Sequence, residues 1–303
     1  MRLLICDKIH PQAVEFLQKK SVPYQYSPEI TVPALLNSVH NYDGLLVRGR
    51  TKVTSDVIEK GVQLKLIGRV GSGVDNIDMT AARAKNITVI NAPDGNIVSV
   101  VEHTIGLIIS LLRNYQRAFR TMQEGIWEKD ALSQTGSELF GKTVGVLGYG
   151  HIGKRLVEVL STFGVNVLIF SKSQKSCTLQ QLFSTSDIIT LHVVLNEETK
   201  GIVSKELIQS MKPTALFLNM ARGRLVDESA LFEALKNHQI AGAALDVFWE
   251  EPLASDSPWR FLPNVLLTPH IGAGTKEAFA KASLTVVADV IRFAKGEKPL
   301  NSV

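Results

Sequence analysis

Two textures alternate along this chain. Short apolar runs of a few residues give way to longer stretches in which apolar positions recur every three or four residues, and then return. Uninterrupted short runs are what strands buried on both faces require, and the longer periodic stretches read as the helices that cover them. In the first half, strands are predicted at 3–6, 44–47, 64–67 and 88–91, with helices at 11–20 and 55–60 among the intervening segments. A proline-free helix, apolar over much of its surface, is expected over 97–123, and such a surface needs cover from another domain or subunit. Residues 130–142 read as a polar connector. A second series of strands follows at 143–147, 165–170, 188–192, 215–219, 242–246 and 265–268, and a last helix spans 276–295. The alternation predicts an α/β chain with two doubly wound domains. One would be discontinuous, built from 1–97 plus 276–303, and the other would span 98–275.

Composition narrows the class. A chain of 303 residues, 45% hydrophobic and 20% charged, can bury real cores, which excludes disorder. The formal charge of +4 comes without any block of Lys and Arg, so neither nucleic acid nor a membrane surface is an expected partner, and small anionic ligands are. Cys6 and Cys177 show no metal-ligand spacing, so no metal site is expected and a reducing cytoplasm is. The N-terminus reads as a strand rather than a signal peptide, and the longest apolar stretch, 105–112, falls far short of the roughly 20 residues of a membrane span.

The first chemical signal is Gly148-Tyr149-Gly150-His151-Ile152-Gly153, placed between a predicted strand and a predicted helix. There the first glycine permits the tight turn, the second lets the backbone approach a pyrophosphate, and the third lets helix pack on strand. The helix N-terminus favours the negative charge. The segment predicts a Rossmann-type dinucleotide-binding domain with Gly148, Gly150, His151, Ile152 and Gly153 around the phosphates. The next strand ends at Ser171-Lys172-Ser173, where a site for NAD normally offers an acid to the ribose hydroxyls. Hydroxyls and a Lys suit a 2′-phosphate instead, so the cofactor expected is NAD(P), with NADP mildly favoured.

Three polar residues follow three successive strands of the second series: Arg222 in Asn219-Met220-Ala221-Arg222, Glu251 in Trp249-Glu250-Glu251-Pro252, and His270 in Thr268-Pro269-His270. Interconverting a 2-hydroxy acid and a 2-oxo acid needs a carboxylate clamp, a proton donor and acceptor, and a hydride carrier. Arg binds carboxylates bidentately and keeps its charge. His exchanges protons near neutrality, and a Glu on its far nitrogen fixes the tautomer. Each residue alone could be a surface ion pair or a solvated loop; the three together point to catalysis.

These motifs, with Val70-Gly71-Ser72-Gly73-Val74-Asp75-Asn76-Ile77-Asp78, Asn91-Ala92-Pro93, the segment from Ser99 to His103, the run from Asn219 to Asp227 and that from Asp246 to Pro252, make the chain resemble the D-isomer-specific 2-hydroxyacid dehydrogenase family over essentially its whole length. The resemblance implies a flavodoxin-like, discontinuous substrate domain beside the Rossmann-type one, and a homodimer. It implies that Arg222 binds the substrate carboxylate, that His270 is acid and base with Glu251 tuning it, and that Asp246 holds the nicotinamide carboxamide. Val70, Gly71, Ser72, Gly73 and Asn96 would bind substrate, the loop through its backbone N–H groups. The first domain is most similar to the phosphoglycerate dehydrogenases of the family, with Arg48 and Arg50 in Val47-Arg48-Gly49-Arg50-Thr51 as donors for a distal phosphate. Since the sequence ends at Val303, the C-terminal regulatory domain of longer relatives is not expected. Ser171 in place of the acid, and Val194 where the family commonly has a proline, depart from the pattern. The first departure favours the alternative of a hydroxypyruvate or glyoxylate reductase. A nucleotide-sensing binding protein of the same fold is the reading outside catalysis.

Overall fold

The computed structural model describes residues 1–303. The chain begins β1 (Leu3–Ile5), α1 (Pro11–Lys19), β2 (Tyr24–Tyr26), α2 (Val32–Ser38), β3 (Gly44–Val47), α3 (Ser55–Lys60), β4 (Leu66–Arg69), α4 (Met79–Ala84) and β5 (Thr88–Ile90). It continues α5 (Ile97–Leu112), α6 (Tyr115–Gln123), α7 (Lys129–Thr135), β6 (Thr143–Leu147), α8 (His151–Ser161), β7 (Asn166–Phe170), α9 (Leu179–Thr185) and β8 (Ile188–Leu191). It ends α10 (Lys205–Gln209), β9 (Leu216–Asn219), α11 (Glu228–Lys236), β10 (Gly242–Leu245), β11 (Val265–Leu267) and α12 (Lys276–Ala294). Two compact units result, Met1–Asn96 with Ala273–Val303, and Ile97–Gly272.

The first unit is a parallel sheet in the order β2-β1-β3-β4-β5. Strands β1 and β3 are buried at every position, which is why they read as unbroken apolar runs. The edge strand β2 had no such signature: Tyr24-Gln25-Tyr26 is half-buried to exposed, and the sequence pattern passed over it. The expected strand at 64–67 begins two residues later, because Leu66 is the residue that pairs with Gly44 and Thr88. The chain's last helix, α12, packs Val286, Val287 and Val290 into this unit's core with Leu46, Leu66 and Ile90.

The second unit is a parallel sheet in the order β11-β10-β9-β8-β6-β7. Strand order reverses at β6, so the loop after β6 lies where open α/β sheets leave a crevice for ligands. Two expectations are corrected here. The single helix over 97–123 is two helices bent by 68°, broken where Asn114 takes a left-handed backbone (φ 52°), a conformation Asn tolerates better than most residues. The polar connector over 130–142 contains α7. No single helix is long and apolar enough to cross a membrane.

Candidate active site

The glycine loop after β6 has the shape a dinucleotide needs. Gly148 adopts φ 104°, and a Cβ there would sit 2.5 Å from the carbonyl carbon of His192, at the end of the neighbouring β8. A Cβ on Gly153 would lie 2.2 Å from the carbonyl oxygen of Gly148, so helix and turn touch backbone to backbone. Gly150 faces open space, with nothing within 4 Å of its missing Cβ. It is also the N-cap of α8, and His151, Ile152 and Gly153 form that helix's first turn, whose N–H groups lack intrahelical partners. These residues fit a bound pyrophosphate: the tight contacts fix the turn and the open glycine leaves room for the ligand. Desolvation pushes the His192 imidazole down to about 4, so a neutral ring ends β8 here.

At the end of β7 the structure closes a small turn. The N–H of Ser171 donates to the carbonyl of Gln174 (2.9 Å), the N–H of Gln174 returns a bond to Ser171 Oγ (2.9 Å), and Ser171 Oγ also lies 3.3 Å from Ser173 Oγ. Lys172, exposed, forms an ion pair with Glu198 from the loop after β8, a partner the sequence did not reveal.

The three catalytic candidates all lie in the second unit, at the C-terminal ends of β9, β10 and β11. His270 Nδ1 meets Glu251 Oε2 at 2.6 Å, and the other carboxylate oxygen of Glu251 accepts the N–H of Phe248 (3.0 Å). Burial raises the Glu251 pKa. Hydrogen bonds from His270 and Phe248, with the charges of His270 and Arg222, outweigh it and hold the carboxyl below its ordinary value. Arg222 is thus electrostatically coupled to the pair. Its loop is pressed against the Glu251 loop at Gly223, where a Cβ would come 2.3 Å from the carbonyl carbon of Phe248. Asn219, fully buried, braces the same loop by donating to the carbonyl of Arg222 (2.8 Å) and accepting from the N–H of Ala221 (3.0 Å). Trp249 anchors the Glu251 loop by donating to the carbonyl of Val226 (2.9 Å) and stacking on Trp259.

Asp246 holds the His270 loop. Its Oδ1 accepts from Thr268 Oγ1 (2.6 Å) and the N–H of Ile271 (2.9 Å), and its Oδ2 accepts the N–H of Gly272 (2.8 Å). His103 on α5 stands 3.4 Å from Asp246 Oδ1 and 3.2 Å from Thr268 Oγ1. Because the Thr268 hydroxyl gives its proton to Asp246, His103 Nε2 must be the donor in that contact. Burial opposes ionisation of Asp246, but the bonds from His103, Thr268, Ile271 and Gly272 prevail and lower its pKa. His270 itself has a left-handed backbone, φ 53°, so its position depends on this bracing. Neither His103 nor Asn219 stood out in the sequence as a supporting residue.

In the first unit, Arg48 and Arg50 part company. Arg50 is committed to the scaffold: its Nε donates to Asp7 Oδ1 (3.0 Å), its Nη1 to the carbonyl of Ile30 (3.0 Å), and its Nη2 to the carbonyls of Cys6 (2.5 Å) and Pro28 (2.9 Å). A role for Arg50 as a phosphate donor would require it to give up some of these bonds. Arg48 is exposed and lies over the Phe279 ring, 4.7 Å from its centroid, with no ion pair. The expectation for Val70 is corrected, because its N–H belongs to the sheet and donates to Val47 (2.8 Å). The N–H groups of Gly71, Ser72 and Gly73 make no hydrogen bond within the chain. Asn96 donates to Ser72 Oγ (3.3 Å) and keeps a buried, unpartnered Oδ1. No group of three or more His, Cys, Asp or Glu side chains is arranged to hold a metal.

Residues 105–272 match the family described as D-isomer specific 2-hydroxyacid dehydrogenase, NAD binding domain. The whole chain aligns with D-3-phosphoglycerate dehydrogenase of Methanocaldococcus jannaschii at 42% identity, covering 59% of that protein. The chain therefore spans little more than half the length of such relatives. It is 36% identical to hydroxypyruvate reductase of Thermotoga maritima, over 96% of this chain and 97% of that one. Among solved structures, a protein from Thermus thermophilus superposes with a TM-score of 0.92 at 29% identity, each chain covered completely.

Proposed function

From the premise that this chain belongs to the D-isomer-specific 2-hydroxyacid dehydrogenase family, we propose that it interconverts a small D-2-hydroxy acid and its 2-oxo acid with NAD(P), the substrate pair being 3-phosphoglycerate and 3-phosphohydroxypyruvate. The observation that carries the chemistry is the 2.6 Å contact between His270 and Glu251, with Arg222 coupled to the same carboxylate.

Arg222 clamps the substrate carboxylate with its guanidinium fork and polarises the adjacent carbonyl. In the first unit, the N–H groups of Gly71, Ser72 and Gly73 are the donors available to an anionic ligand. Protonated His270 gives its Nε2 proton to the carbonyl oxygen in reduction and takes it back in oxidation. Glu251, on Nδ1, keeps a proton there, so that Nε2 alone exchanges, and it stabilises the imidazolium. A reduced nicotinamide, when bound, supplies the hydride. Asp246, through Ile271 and Gly272, keeps His270 where this exchange can occur.

The distal phosphate falls to Arg48, the arginine left without an ion pair. Replacing Arg48 with Ala should lower kcat/KM for 3-phosphohydroxypyruvate by about tenfold or more, the worth of one charge-assisted contact, while glyoxylate turnover stays within about twofold. Equal losses on both substrates would favour the second reading, a hydroxypyruvate or glyoxylate reductase. The near-complete alignment with the Thermotoga reductase supports that reading.

The finer cofactor assignment is NADP, supported by the hydroxyls and Lys172 where an acid is usual, with the Lys172–Glu198 ion pair as the feature that works against it. A homodimer is supported by Phe119, Met122, Ile126 and Trp127, large apolar side chains exposed on and just after α6. The two unpaired cysteines, with the Cys6 thiol pushed up to about 12 first by burial, support a cytoplasmic setting.

A further inference from the structure

Strand order in the second sheet puts β8 on one side of β6 and β7 on the other. Lys172 follows β7 and Glu198 follows β8, yet their side chains meet. Their ion pair therefore spans the C-terminal end of β6, where the glycine loop begins. Both backbones are held in place. The Ser171–Gln174 hydrogen bonds fix the Lys172 turn. In the Glu198 loop, Asn196 Oδ1 accepts the N–H groups of Glu198 and Thr199 (3.0 Å each), and Thr199 Oγ1 donates to the carbonyl of Val194 (2.6 Å). The side chains are 80% and 67% exposed, so the pair is weak and open to competition by a ligand.

We propose that Glu198 is a specificity-determining residue for the dinucleotide. It occupies Lys172, the cation next to Ser171 in the chain (a second, Lys175, lies over the Phe170 ring), and adds a negative charge that opposes a 2′-phosphate. The usual acid at the end of the second strand is absent, and Glu198 supplies a carboxylate to the same place from a different strand. The inference rests on the assignment of Ser171 and Lys172 to the ribose end of the cofactor. A 2′-phosphate must displace Glu198 from Lys172 before it can pair there, whereas a free ribose diol need not. Selectivity is then set by the contest for Lys172 rather than by residue 171 alone.

Calorimetric titration of the full chain with 2′,5′-ADP and with 5′-AMP separates the possibilities. Glu198→Gln should bind 2′,5′-ADP at least about threefold more tightly than the unmodified chain, with 5′-AMP affinity within about twofold; the latter also reports an intact fold. Lys172→Ala should weaken 2′,5′-ADP and spare 5′-AMP. If Lys172→Ala weakens 2′,5′-ADP but Glu198→Gln fails to strengthen it, Glu198 has no such role, and the ribose-end assignment stands. If Lys172→Ala leaves 2′,5′-ADP unchanged, the ribose-end assignment fails and takes the inference with it.

Discussion

At the residue scale, the site is a set of polar groups whose protonation is set by fixed partners. Asp246 illustrates the energetics. Its folded-state pKa is lowered, so it contributes stability that is fully present above the ordinary carboxylate value of about 3.9 and is lost as pH falls through the lowered value. Asp246→Asn should therefore unfold in urea at a lower midpoint near neutrality, by on the order of 2 kcal/mol, with a shallower further loss below about pH 4 than the unmodified chain shows. Parallel acid limbs for the two proteins would mean that Asp246 is not the paired carboxylate described. Arg222, Glu251 and His270 were legible in the sequence because each is a polar residue just beyond an apolar strand. His103 and Glu198 were not, since each acts through a partner that only the fold brings near, and Asn219 was not, since its partners are backbone groups of the adjoining loop. His103 lies 143 positions from Asp246 along the chain, counted from their residue numbers. The pairing of Arg50 was hidden for the same reason: Asp7, its partner, follows β1, 43 positions away in the chain.

At the element scale, strands buried on both faces were readable as apolar runs, and the exceptions have a common origin. The β2 edge strand is held by pairing with β1 and shows little apolar character of its own. The break between α5 and α6 turns on one residue in an otherwise helical pattern, and periodicity is blind to one left-handed residue. Asn114 at φ 52° makes that break testable. Asn114→Val should cost about 1–2 kcal/mol in urea unfolding, and Asn114→Gly should stay within about 0.5 kcal/mol of the parent, because a Cβ resists this backbone, a branched one most of all, and glycine has none. If both variants are equally stable, the helix does not break at this residue. The connection holding α7 was missed for its polarity: none of its residues is buried, so no apolar stripe marks it.

At the scale of the whole molecule, both units use the same device, a parallel sheet whose loops gather at the C-terminal ends of the strands. In the second unit this collects the glycine loop, the Lys172–Glu198 pair and the Arg222, Glu251 and His270 loops from all six strands. Sequence motifs identified the glycine loop, the Ser171 turn and the three catalytic loops but not the Glu198 loop, and the strand order that lets two loops meet over a third is a property of the assembled sheet. The account as a whole stands on His270 as the group that moves the proton. Its most direct test is the initial rate of 3-phosphohydroxypyruvate reduction by the unmodified chain and by His270→Ala, with cofactor affinity measured for both. The account predicts ready turnover by the unmodified chain, a loss of about 10²–10⁴-fold in kcat for the variant, and unchanged cofactor affinity, because the dinucleotide contacts lie elsewhere. Undiminished turnover by His270→Ala would contradict it.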